Sequence, residues 1–73
     1  MITENDIKLE TDALNSAAKK YDKVYLYRKG NDGTWALFST HDDVYRPVYL
    51  ATNTAGLFAY ISLLKNIYLQ GKV

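Results

Sequence analysis

The tetrapeptide Gly30-Asn31-Asp32-Gly33 constrains the fold of this chain more than any other stretch, because it joins two runs of β-forming residues. Lys23 to Lys29 and Thr34 to Thr40 read as antiparallel strands, and a glycine-bounded Asn-Asp link between them is a strong hairpin signal. Asn31 and Asp32 suit the centre of a type I turn, with Gly33 in the left-handed position of a G1 bulge. An Asp-Gly type I′ turn is the competing geometry. The difference matters, since a one-residue change of register exchanges the faces of the sheet. With Gly33 in the bulge, Leu26 pairs with Phe38 and Val24 with Thr40 on one side. Tyr27 then pairs with Leu37, Tyr25 with Ser39 and Lys29 with Trp35 on the other.

The flanking segments carry their own signals. Glu4 to Tyr21 reads as a helix: Thr3 and Asp6 approximate a capping box, and Glu4 and Asp6 suit its positive start. Ile7, Leu14, Ala17 and Tyr21 fall on one stripe. Val44 to Leu50 reads as a third strand, placed at an edge because Pro47 cannot donate to a ladder. Thr52-Asn53-Thr54 offers caps for a last helix from Ala55 to Leu69, which Gly71 stops. The order is αβββα. It describes an α+β fold, a three-stranded antiparallel meander with two helices packed on one face. At 73 residues there is room for one core, so the chain (1–73) is a single domain.

In the third strand Val44, Val48 and Leu50 alternate with Tyr45, Pro47 and Tyr49. One sheet face is therefore mostly aliphatic, the other rich in tyrosine and tryptophan. Branched aliphatic side chains fill volume without a polar tip, so the helices are expected on the aliphatic face. Tyr25, Tyr27, Lys29, Trp35, Tyr45 and Tyr49 are then expected to face outward, with Arg46 beside them. Cross-strand aromatic pairs stabilise a half-wet sheet without any ligand, which is the bland account of such a face. Tyr, Trp and Arg are also the residues enriched at protein interfaces, with Trp35 and Tyr27 as anchors and Lys29 and Arg46 as orienting charges. A third account stacks single-stranded DNA or RNA bases on the aromatics.

Charge bears on that choice. Nine Lys+Arg against eight Asp+Glu give a net charge of +1, far from the basic balance of a protein that grips many phosphates. Nucleic acid is accordingly the alternative, and a protein partner the leading expectation. The absence of cysteine removes disulfides and thiolate chemistry and fits a cytoplasmic protein. The start MITENDIKLE is acidic where a secretory signal would be basic, and the longest apolar run, Ala55 to Leu64, is too short for a bilayer. No membrane association is expected.

Little in the chain suggests catalysis. His41-Asp42-Asp43 lacks the spaced ligands of a zinc site, and its adjacent aspartates would point apart. Asn31-Asp32-Gly33 lacks the carboxylates of a calcium loop. No phosphate-binding glycine motif or nucleophile elbow is present. The expectation is no enzyme, no metal and no cofactor. The last helix is apolar on more than one stripe, so its spare side, with Tyr60, Leu63 and Ile67, is a candidate dimer face. A homodimer is also a common way for a small domain without disulfides to recover buried area.

Ala17, Ala18, Tyr21, Val24 and Leu26, then Gly33-Thr34, and later Ala55-Gly56 before Tyr60-Ile61 form a pattern that spans most of the chain. It resembles a family of small proteins carried by enterobacterial plasmids and prophages, the UPF0401 group. The resemblance implies an αβββα fold on a mobile element and brings no activity with it. Small phage proteins of this kind commonly bind a host protein. The expectation is thus a phage or mobile-element accessory protein, a non-enzymatic protein-interaction module that binds and modulates or inhibits a host protein.

Overall fold

A computed structural model of the chain describes residues 1–41 and 43–72, with the backbone alone at position 41. Helix α1 (Glu4–Ala18) begins where Thr3 and Asp6 cap each other. The Asp6 N–H donates to Thr3 Oγ1 at 3.2 Å, and the Thr3 N–H donates to the Asp6 carboxylate at 2.8 Å. A 3₁₀ turn (Lys19–Tyr21) follows, and Asp22 ends it in the left-handed conformation at φ 58°. Strands β1 (Tyr25–Lys29), β2 (Trp35–His41) and β3 (Val44–Ala51) form an antiparallel sheet in the order β1-β2-β3. Helix α2 (Thr54–Leu69) is capped by Asn53, whose Oδ1 accepts from the Gly56 N–H at 2.8 Å. Past its end, Gly71 takes φ 69°. Gly71 and Lys72 donate to the carbonyls of Tyr68 and Ile67, the paired bonds of a Schellman stop.

The hairpin has the expected turn. The Gly33 N–H donates to the Gly30 carbonyl at 3.2 Å, Gly33 takes φ 85°, and the Gly30 N–H reaches the Thr34 carbonyl at 2.7 Å. Asp32 locks the corner by accepting from both the hydroxyl and the N–H of Thr34. The register follows: Tyr25 opposes Ser39, Leu26 Phe38, Tyr27 Leu37, Arg28 Ala36 and Lys29 Trp35.

Two features were not foreseen. The first is a bulge in β3. Tyr49 opposes Leu37 and Pro47 opposes Phe38, so Val48 is an extra residue between them. One inserted residue reverses the alternation. Tyr45 and Pro47 therefore share a face with Leu50, while Tyr49 and Ala51 lie on the other.

The second corrects which face is covered. Both helices lie on the side of Tyr25, Trp35, Leu37, Tyr49 and Ala51, and the aliphatic side of Leu26 and Phe38 is open. Tyr25 and Trp35, expected outside, are only 7% and 6% exposed. Aromatic side chains remove more surface from water than valine or leucine, and here they find one another across the core. The Tyr25 and Tyr68 hydroxyls are 2.6 Å apart, the Tyr49 ring stacks on Tyr60 at 4.1 Å, and Tyr21 leans on Tyr68 at 5.3 Å. The helices contribute the compact aliphatic half of the core: Ile7, Leu14 and Ala18 from α1, and Leu57 and Ile61 from α2.

Polar contacts lock the helices in place. Lys65 Nζ lies 2.8 Å from the Glu10 carboxylate, which also accepts from the Ser62 hydroxyl at 2.5 Å. Asn15 of α1 treats β1 as a neighbouring strand would, donating to the Tyr25 carbonyl at 2.9 Å and accepting from the Tyr25 N–H at 2.7 Å. No helix among the described residues is long and apolar enough to cross a membrane.

Candidate functional site

The expected partner face dissolves once its residues are placed. Tyr25, Tyr27, Lys29, Trp35 and Tyr49 belong to the helix side. Lys29 holds its ammonium 5.5 Å from the Trp35 ring centre, and Tyr27 lies 6.1 Å from the same ring. Tyr27 is half-buried and its hydroxyl points at Glu4 over a long 3.4 Å. Arg46 opposes Ser39 at the exposed margin of that same side. Of the seven expected contact residues, Tyr45 alone stands on the open face, 47% exposed. Of the rings on which bases would have stacked, Tyr25 and Trp35 are in the core and Tyr27 and Tyr49 are packed against it. In the candidate dimer face on α2, Leu63 is 55% exposed, whereas Tyr60 and Ile67 are half-buried and Tyr60 is engaged by Tyr49.

The open face is built in three rows across the sheet. Arg28, Ala36 and Leu50 form one, Leu26, Phe38 and Pro47 the middle, and Val24, Thr40 and Tyr45 the third; the bulged Val48 lies beside the middle row. Leu50 is 70% exposed, and Val24, Pro47 and Val48 are exposed as well. Leu26, Arg28, Phe38 and Tyr45 line a shallow depression at its centre. Arg28 is the one charged side chain in these rows. A second hollow borders the third row, lined by Asp22, Lys23 and Asp43 together with Tyr21, Val24, Thr40 and Tyr45. One end of the face is therefore cationic, and the other carries two carboxylates against one ammonium.

Both sheet edges are interrupted against an added strand. The Thr40 N–H donates to the Val24 carbonyl, so alternation turns the peptide groups of Tyr25, Tyr27 and Lys29 outward on β1. Asn15 occupies those of Tyr25, and Lys29 guards the far end. On β3 the same alternation turns Pro47 outward, where it has no N–H to offer, and the bulge at Val48 breaks the line.

The groups with shifted pKa values serve structure. Thr3 holds the Asp6 carboxyl below its usual range through its N–H first and its hydroxyl second, and the Thr34 hydroxyl and N–H do the same for Asp32. Glu10 is lowered by hydrogen bonds from Lys65 and then Ser62. Burial, followed by the Tyr68 hydroxyl, raises Tyr25, and burial with the nearby Glu4 charge raises Tyr27. None of these groups faces the open side. Among the described residues no three His, Asp or Glu side chains gather as metal ligands; Asp42 and the His41 side chain, part of the connection considered above, lie outside them.

Sequence reasoning placed Leu26, Phe38, Val48 and Leu50 on the covered side, whereas the structure leaves them on the open face. A signal was nevertheless present. A sheet with one wet face alternates apolar and polar, but Val24-Tyr25-Leu26-Tyr27 and Trp35-Ala36-Leu37-Phe38 are apolar on both sides. Comparison of the chain with protein-family models, with curated proteins and with solved structures gives no match in any of the three.

Proposed function

We propose that this chain is a non-catalytic protein-interaction module and that the open aliphatic side of its sheet is the contact surface. The observation that carries the reading is the apolar character of both sheet faces, of which the helices cover one. An uncovered patch of this composition is the mark of a surface that meets another protein. The partner is a host protein or a second copy of the chain, and the pattern shared with plasmid and prophage proteins favours an accessory role in the cytoplasm. Leu50 and Tyr45 supply the contact area, and Arg28 the orienting charge.

The test is capture by the tagged chain from a lysate of the organism that encodes it, with untagged copy present and with nuclease-treated samples run in parallel. Wild type should retain a protein partner, nuclease should make no difference, and Leu50→Lys should lose the partner with its circular-dichroism spectrum unchanged. Equal retention by Leu50→Lys and wild type would remove the open face from the interaction.

A further inference from the structure

We infer that the occupant of the open face is a second copy of the same chain, packed sheet against sheet as a two-fold sandwich. This rests on the proposal that the open face is an interface, and goes beyond it by naming the partner.

Area is the first argument. The exposed parts of Val24, Leu26, Phe38, Tyr45, Val48 and Leu50 amount to roughly 450 Å², within the range of the largest patches on monomers. Two such faces together remove roughly 900 Å² from water before Arg28, Pro47, Thr40 and the rim are counted, and with those they reach the threshold for a specific interface. That size fits a weak dimer.

The second argument is that the face complements itself. A two-fold axis lying in the interface along the middle row sets each copy's outer rows over the other's. Leu50 then meets Tyr45 of the second copy, bringing the two protruding apolar groups of β3 together. Arg28 is carried to the opposite end of β1, where Val24 lies among Asp22, Asp43, Lys19 and Lys23. Arg28 of each copy thus comes within reach of Asp22 and Asp43, twice per dimer, in surroundings that also hold Lys19 and Lys23. Sheets packed face to face tolerate this arrangement with their strands within about 30° of one another.

The third is the state of the edges. Asn15 on β1, and Pro47 with the bulge at Val48 on β3, oppose dimerisation by a continuous sheet. They leave the face as the route by which two sheets can join.

Sedimentation velocity on the full chain, from about 1 µM to about 500 µM, tests the inference, because mass action makes a weak dimer concentration-dependent. Wild type should pass from monomer to dimer across that range. Leu50→Lys and, separately, Val48→Lys should remain monomeric with unchanged circular dichroism, while Leu63→Lys, on the outer side of α2, should dimerise like wild type. Arg28→Glu should weaken association several-fold at low salt and less at high salt. A wild type that is monomeric throughout overturns the second-copy inference, and so does a dimer that survives both β3 substitutions or is lost in Leu63→Lys. The underlying interface proposal fails separately, when Leu50→Lys retains the captured partner.

Discussion

Leu37 and Leu50 allow the same substitution to be made on opposite faces of one sheet. Leu37 is fully buried between β2 and the helices, and Leu50 is mostly exposed on β3. Leu37→Ala deletes three carbons from the core. At about 0.8 kcal/mol each the transfer loss is about 2.4 kcal/mol, and the cavity left behind raises the total to about 3 kcal/mol. Leu50→Ala removes carbons already largely in water, so its effect should stay below about 0.7 kcal/mol. For 73 residues the unfolding entropy is about 0.15 kcal/mol/K, so the first change lowers Tm by about 20 °C and the second by less than about 5 °C. A stability of about 4–11 kcal/mol for this length accommodates both, so each variant remains folded at room temperature. Thermal unfolding followed by circular dichroism at low micromolar concentration is the assay, since association contributes least there. If Leu50→Ala loses as much as Leu37→Ala under those conditions, the aliphatic side is the covered one and the assignment of faces collapses.

Three further outcomes are expected. Gly33→Ala should lose about 1 kcal/mol in urea unfolding: nothing crowds the new Cβ, but φ 85° disfavours it, and Gly33→Asn should lose less. Glu10 ionises below its ordinary value of 4.5, so its contribution is present above that value and lost as pH falls through the folded one. Glu10→Gln should flatten the acid limb of the stability curve and lower stability by about 1 kcal/mol at neutral pH, with a wild-type acid limb as the contrary result. Tyr25 ionises well above its ordinary value of 10.0, so its contribution is present below that pH and is lost as pH rises beyond it toward the folded value. Tyr25→Phe should flatten the alkaline limb, checked by tyrosinate absorbance alongside unfolding, and an unchanged limb would show that the Tyr25–Tyr68 pair is not what alkali breaks.

The parts of the structure legible in the sequence are those decided within a few residues. Gly30-Asn31-Asp32-Gly33 determined the turn because its fourth residue, Gly33, requires positive φ, which glycine takes without penalty. The turn in turn set all five pairs of the first hairpin. Thr3 with Asp6, Asn53, and Gly71 marked helix ends because each acts over three to five residues of backbone. The open face could not be placed in the same way. Val48 gives no local sign of being an extra residue, yet it moves Tyr45 and Leu50 onto one side and parts Tyr45 from Tyr49.

By itself, then, the sequence determined the element order and the turn, and through the turn the register of the first hairpin, all by local backbone geometry. Only the tertiary structure decided which side of the sheet the helices cover. That choice depended on contacts between distant residues: Tyr68 accommodating the Tyr25 hydroxyl, Tyr60 stacking on Tyr49, and Asn15 pairing with the edge of β1. With both faces apolar, hydrophobicity alone favoured neither. The larger buried area of the aromatics, with the Tyr25 hydroxyl paired to that of Tyr68, turned them inward and left Leu26, Phe38, Tyr45 and Leu50 on the open face.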